Sequence, residues 1–494
     1  MADIVIDYKD EVYVKIRGNS SVEREIYDEF KFTVDKSKFI RKNSKRNYKN
    51  WNGDIHMYNL RTKEIYCGLK QAVINFCNES GYTVEDNTPN NTITISDDDY
   101  DRFVKFLKLP QDRIPRDYQK DAFIHCVENS KALLVSPTSS GKSLLIYMLS
   151  RFYMTAEKDT KILIIVPGTI LLDQMVSDFH SYGYTEDIHI VKGGKEKQAD
   201  SHITVSTWHS LVDMDKEYYK QYTAVIFDEA HTCKAKSLTG IIGNLQGCRY
   251  RFGFTGTLQT DVVNILTLEG LFAPAKQFIK THELMERKVI ADLFINIICF
   301  DYDKQTRKYM RNKSYHEEID FLISNEKRNK FIVKLEKNLS GNTLILCSRV
   351  DSHAKVLYDL FVAAGRKVYY IVGDTDDDTR EKIRKKMETE TNTVLIASYG
   401  TLSMGVSIVN LHNVIFATAY KTNIKTLQSI GRVLRKSNEK NDATLYDLAD
   451  DFSHNGKNNF TLTHLYERVK IYDQEQFKYR THRIALKSQY SPDS

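Results

Sequence analysis

Five segments between about 110 and 290 share one pattern: a short apolar run, a polar or glycine-bearing turn, then a stretch with helical spacing. The runs are "KALLVSP", "KILIIVPG", "ITVST", "AVIFDEAH" and "YRFGFTGT". Strands that are apolar at every position are buried on both faces, and helical crossovers between them make the sheet parallel. A second series runs from about 295 to 450, through "NTLILCS", "KVYYIVG", "TVLIAS", "NVIFATA" and "ATLYDLA". The two series share no sequence repeat, yet they predict the same architecture. Residues 1 to about 100 mix periods instead. "EVYVKIR" alternates as a strand does, and "CGLKQAVINFCNESG" puts Leu69, Val73, Phe76 and Cys77 on a helical stripe that Gly81 ends. The acidic "SDDDYDR" reads as the exit from this first domain. The closing "FTLTHLYERVKIYDQEQFKYRTHRIALKS" predicts a helical, net basic extension. The expected division is a small α+β domain at 1–100, α/β lobes at 101–290 and 291–452, and a tail at 453–494.

Composition narrows the class only slightly. A chain of 494 residues is too long for a single core, which agrees with several domains. With 41% hydrophobic and 28% charged residues it has the make-up of a globular protein. The formal charge of +6 is mildly basic and permits an anionic partner without requiring one. The polar start "MADIVIDYKDE" predicts no secretory signal, and runs such as "ILIIV" fall far short of the roughly 20 residues of a membrane span. Cysteines 67, 77, 126, 233, 248, 299 and 347 show no Cys-x-x-Cys pair and predict free thiols in a reducing cytosol. "HTC" at 231–233 offers two metal ligands without partners, too few for zinc.

The chemistry concentrates in three places. "VSPTSSGKS" (135–143) nearly spells a phosphate-binding loop, with Ser136 where the first glycine usually stands. Such a loop brings backbone N–H groups and a helix N-terminus to the phosphates. That would make ligands of Thr138, Ser139, Ser140 and Gly141, send Lys142 to the terminal phosphates of ATP, and give the Ser143 hydroxyl to magnesium. "AVIFDEAH" sets Asp228 and Glu229 at the carboxyl end of a buried strand, where open α/β sheets hold ligands. Asp228 suits the magnesium shell, and Glu229 suits orienting and deprotonating a water. In "QSIGRVLRK", Arg432 and Arg435 share a helical face and could stabilise charge on a transferring γ-phosphate.

Together these segments resemble the superfamily 2 helicases and translocases over about 110–450. Other segments agree in order: "RIPRDYQKDA", "VPGTILLDQM", "VSTWHSL", "FTGTL" and "ASYGTLSMGVSI". The resemblance implies two RecA-like lobes. It implies that Gln119 reads adenine with Arg116 or Tyr118 beside it, and that Gly405 joins the nucleotide site. It further implies that Pro167, Thr207, Ser348 and Ser398 contact nucleic acid, and that Thr255, Thr257 and Gln428 couple hydrolysis to movement.

"PTSSGKS", "SYGTLSMGVS", "SIGRVLRK" and, outside the motor, "NWNGDIHMYN" resemble the UvsW-type helicases of tailed phages over nearly the whole chain. Those proteins also lack the Thr-Gly pair of other helicases, so the serine-rich loop is a lineage variant. This resemblance implies an ATP- and magnesium-dependent enzyme of the host cytoplasm. Its expected substrates are branched, single- and double-stranded DNA and RNA–DNA hybrids: junctions, forks and R-loops. A monomer is compatible with it.

Between Lys36 and Lys49 lie seven basic residues and no acid, interleaved with Phe39 and Tyr48 and followed by Trp51. Lys42, Lys45, Arg46 and Lys49 could neutralise phosphates while Trp51 stacks on a base. A solvated basic face with core aromatics is the plainer alternative. Competing whole-protein readings are an RNA helicase of the Asp-Glu-Ala-His group, a restriction-type double-stranded DNA translocase, and a catalytically dead scaffold.

Overall fold

The computed structural model describes residues 2–34, 53–89, 93–193, 201–256, 264–399, 408, 410–418 and 442–486. They form two compact units: 1–136 with 141–278, and 279–494 with the short stretch 137–140.

The first unit begins with six short strands: β1 (Ile4–Tyr8), β2 (Tyr13–Gly18), β3 (Lys31–Thr33), β4 (Asp54–His56), β5 (Glu64–Tyr66) and β6 (Val84–Asp86). Four make a mixed sheet in the order β5-β2-β1-β6, with β1 antiparallel to β2 and parallel to β6. Ile4, Ile6, Val14 and Ile16 pack from this sheet onto Val73 and Cys77 of the helix Lys70–Glu79. The alternation in "EVYVKIR" and the helical stripe are both found, and Gly81 follows the helix at φ +82°.

The acidic run "SDDDYDR" begins a helix. Ser96 and Asp99 close a capping box on the helix Asp97–Leu107, whose three leading aspartates complement the helix dipole. Tyr100 and Leu107 of this helix join the core of the following sheet, so the acidic run opens the motor lobe.

That sheet comprises β7 (Lys131–Val135), β8 (Ile162–Val166), β9 (Ile188–Val191), β10 (Ile203–Thr207), β11 (Ala224–Phe227), β12 (Tyr250–Thr255) and β13 (Ala275–Gln277). The order is β13-β7-β12-β11-β8-β10-β9, parallel throughout. All five predicted strands are present, and β8, β10, β11 and β12 are buried at every position. Because every strand runs the same way, the loops after β7, β11 and β12 emerge on one edge from three adjacent strands.

The second unit repeats the design with β14 (Asp292–Tyr302), β15 (Thr343–Cys347), β16 (Val368–Ile371), β17 (Val394–Ser398), β18 (Asn413–Phe416), β19 (Asp442–Asp451) and β20 (Lys478–Leu486). Its order is β16-β17-β15-β18-β19-β14-β20, again parallel. The C-terminal expectation needs correcting here. Phe460–Gln474 is helical, but "KYRTHRIAL" is the strand β20, paired along β14 from Phe294↔Lys478 to Tyr302↔Leu486. Tyr479, Thr481 and Ile484 suit a pleated surface, and β14 offers an unpaired edge, so pairing outweighs helical propensity. The tail completes the second sheet rather than extending beyond it. Among the described residues no helix is long and apolar enough to cross a membrane, and all seven cysteines are free thiols.

Candidate functional site

The loop after β7 is fixed at both ends. Ser136 N–H donates to the Thr255 carbonyl at 2.8 Å, tying the loop to β12. At the other end Gly141 sits at φ +85°, where a Cβ would meet Gln119 Nε2 at 2.5 Å. Glycine is therefore favoured by conformation, and a Cβ there would also displace the Gln119 amide. The helix Lys142–Ala156 starts at once, leaving its first N–H groups directed toward the loop. Gln119 Nε2 donates to the Gly141 carbonyl at 3.0 Å, while Gln119 Oε1 accepts from the Arg116 N–H at 2.9 Å. Arg116 Nη1 in turn donates to the Tyr118 hydroxyl at 3.2 Å. Inside the loop, Thr138 is half-buried, Ser139 stands at φ +67°, and Ser140 N–H donates to the Pro137 carbonyl at 3.2 Å.

The two acids stand two strands over, beyond β12. Asp228 is held by its own N–H donating to the Ile165 carbonyl at 2.8 Å. Glu229 then turns into the left-handed region at φ +49°, and its N–H donates to Asp228 Oδ1 at 3.0 Å. That turn brings Glu229 Oε1 to 2.5 Å from Lys142 Nζ. Glu229 Oε2 accepts from the Gly256 N–H at 3.2 Å and lies 3.4 Å from His231 Nδ1. His231 Nδ1 is 2.8 Å from Thr255 Oγ1. One carboxylate thus connects the loops after β7, β11 and β12.

Burial acts on both acids, with opposite results. It pushes the Asp228 carboxyl up to about 6, with Lys142 only partly opposing it. At Glu229 the burial penalty is outweighed by Lys142 and then by His231, which hold the carboxyl at about 2. Glu229 is therefore an ionised acceptor at neutral pH, balanced by an ammonium. Asp228 is a buried carboxyl whose charge is incompletely compensated, the kind of oxygen donor a dication stabilises. A glycine-gated loop, a lysine, a serine hydroxyl and that carboxylate fit a nucleotide with magnesium.

Several contacts were not legible in the chain. Ser143 Oγ lies 2.8 Å from the Tyr182 hydroxyl, and Tyr182 is a buried residue 39 positions away with no motif around it. His231, read only as half of a weak metal pair, bonds Thr255 instead, and Cys233 donates its thiol to the Lys234 carbonyl.

The remaining expected residues divide clearly. Pro167 follows the end of β8, and Thr207 ends β10 and caps the short helix Trp208–Leu211. In the second unit Ser348 follows β15, its N–H donating to Thr418 Oγ1 at 2.7 Å, and Ser398 ends the neighbouring β17. In each unit, then, these residues sit at the carboxyl ends of strands. Lys42, Lys45, Arg46, Lys49, Trp51, Thr257, Gly405, Gln428, Arg432 and Arg435 lie outside the described residues.

Three stretches of the chain match known families. Residues 3–86 match the family described as DNA helicase UvsW, N-terminal. Residues 113–260 match the type III restriction enzyme res subunit family, and 326–437 the helicase conserved C-terminal domain. The ATP-dependent DNA helicase uvsW of Enterobacteria phage T4 is 34% identical over 97% of this chain and 98% of its own length. The crystal structure of T4 UvsW covers 98% of this chain and 99% of its own, at 32% identity and a TM-score of 0.52. The Saccharomyces cerevisiae protein Dbp5, bound to RNA and ADP BeF3, matches 77% of this chain with a TM-score of 0.54 at 14% identity, a likeness of fold alone.

Proposed function

The chain belongs to the UvsW family of DNA helicases, and from that premise we infer that it is an ATP-driven helicase acting on branched DNA. The observation that carries the reading is the three-loop junction at Glu229, where Lys142, Gly256 and His231 converge on one carboxylate. In this reading Lys142 binds the terminal phosphates, and Ser143 with Asp228 holds magnesium. The metal supplies charge neutralisation at the phosphates. Glu229, kept ionised by Lys142, accepts the proton of the attacking water, and Arg116 and Gln119 bind the base. Its two carboxylate oxygens tie the acid to both the phosphate loop and the strand that carries Thr255. Movement of any one loop therefore alters the hydrogen bonds of the acid itself, a direct route for coupling hydrolysis to displacement of a strand. Arg432 and Arg435 stabilise transferring charge. Thr257 and Gln428 take part in coupling, and Gly405 completes the nucleotide site.

Pro167, Thr207, Ser348 and Ser398 line the strand-binding edges, and the basic stretch around Lys42 to Trp51 selects junctions, forks and RNA–DNA hybrids. The enzyme works in the cytoplasm of an infected host cell. The test compares DNA-stimulated ATP hydrolysis and unwinding on single strands, forks, four-way junctions and RNA–DNA hybrids, for the wild type and Lys142→Ala. The substitution removes turnover while DNA binding persists, because different residues grip the phosphates and the strand. Hydrolysis by Lys142→Ala within a few-fold of wild type would show that the loop is not a nucleotide site. Equal rates on every substrate would remove the preference for branches.

A further inference from the structure

We propose that Thr418 is the positioning residue of the second unit's nucleic-acid edge: its hydroxyl and its carbonyl together fix the first residues beyond β15 and β17 where a bound strand meets them. The proposal rests on the nucleic-acid reading given above for Ser348 and Ser398, and concerns the residue that sets them. Thr418 lies two residues beyond β18 and is fully buried. Its Oγ1 accepts from the Ser348 N–H at 2.7 Å, just past the end of β15. Its carbonyl accepts from the Tyr399 hydroxyl at 3.1 Å, just past the end of β17. Because β15 lies between β17 and β18, this second bond crosses the end of the middle strand.

The bonds between β15 and β18 end with the Ala417 N–H donating to the Leu346 carbonyl at 2.9 Å. Past that point the sheet's ladder no longer relates one strand to the next, and a side chain has to do so. Thr418 is itself held from the protein interior. The neighbouring Ala417 carbonyl accepts from Arg328 Nη1 at 2.7 Å, and Arg328 Nε donates to Asp450 Oδ1 at 3.0 Å. Arg328 and Asp450 are both buried, and a charge-assisted pair of this kind is costly to disturb. Packing alone does not call for a threonine here, since valine would fill the same space without burying a hydroxyl. Ligand-facing residues hold their geometry only when the shell behind them is itself locked, and Thr418 is that shell for the ends of two neighbouring strands. Those ends lie on the carboxyl edge, where open α/β sheets hold ligands.

The experiment uses the full chain and measures ATP hydrolysis against the concentration of oligothymidine. Thr418→Val removes the acceptor for the Ser348 N–H. It should raise the oligothymidine concentration giving half-maximal hydrolysis about tenfold, the scale of one lost buried hydrogen bond. The rate at saturating oligothymidine should stay within about twofold of wild type. Thr418→Ser restores the acceptor and should restore the wild-type half-maximal concentration. Tyr399→Phe keeps the buried ring and loses only the donor to Thr418. It should shift the half-maximal concentration in the same direction, and it keeps the test available if the valine variant does not fold. A merely structural role gives another pattern, because fewer folded molecules lower the saturated rate and leave the half-maximal concentration unchanged. That pattern overturns the proposal, and so does failure of Thr418→Ser to restore the wild-type value. Wild-type hydrolysis that oligothymidine does not stimulate would instead overturn the nucleic-acid reading itself, an outcome told apart without any variant.

Discussion

His353 shows how a single buried residue ties this fold to pH. It is fully buried in the second unit, with Nε2 3.1 Å from Asn329 Oδ1 and the guanidinium of Arg328 nearby. Burial, and then the Arg328 charge, lower its pKa from 6.5 to about 3. The unfolded chain therefore takes up the proton first. The stabilising contribution is complete above about pH 6.5 and is lost as the pH falls toward 3, amounting to about 2 kcal/mol by pH 5. His353→Gln keeps an amide donor for Asn329 and does not titrate. The urea midpoint of that variant should fall less between pH 7 and pH 5 than that of wild type; an equal fall would place the sensitivity elsewhere. No motif announces His353, since its effect comes from packing and not from its neighbours in sequence.

At the level of elements, the least anticipated feature is β20. Its side chains from Lys478 to Arg483 are mostly exposed, while Ile484 and Leu486 pack toward the core of the second unit. Arg483 also pairs with Asp301 at 2.8 Å and Asp451 at 3.2 Å across the sheet. Removing the chain from Lys478 onward would uncover the long edge of β14, and should lower the stability of this unit by about 3 kcal/mol or more. The exposed edge should also promote association. A truncated protein that melts like the full chain and remains monodisperse would make β20 peripheral. The motor strands, by contrast, were readable, because β8 and β11 are apolar at each position and β10 is rich in β-branched residues. In β20 the apolar pattern is broken by Lys478, Arg480, Thr481, His482 and Arg483. Only the free edge of β14 determines its state.

For the whole molecule, the question is how a generic motor acquires a substrate. The first small sheet and the motor lobe belong to one compact unit, and Glu11 joins them: its carboxylate pairs with Lys131 at 2.7 Å and its N–H donates to the Gln246 carbonyl. Gly68 lies so close to the helix Ile265–Leu271 that a Cβ would fall 2.0 Å from the Glu269 carbonyl. A domain fastened to the motor lobe in this way keeps a fixed position beside it. Changing Lys42, Lys45, Arg46 and Lys49 to Ser should weaken junction binding and flatten its salt dependence, by up to about 0.9 in log–log slope for each duplex phosphate no longer neutralised. ATP hydrolysis on saturating single strands should stay near wild type. Unchanged affinity and salt slope on a four-way junction would reduce the stretch to a solvated face.

The chain by itself determined the two parallel sheets, the glycine-bearing loop after β7 and the acid pair after β11, because burial on both faces and glycine-dependent turns restrict which residues can stand there. Tertiary structure alone decided that Glu229 joins three loops, that Tyr182 meets Ser143 and that the tail ends as a strand. Those contacts depend on which strands become neighbours, and strand order follows from burying the whole sheet at once, a property that no local stretch of sequence contains.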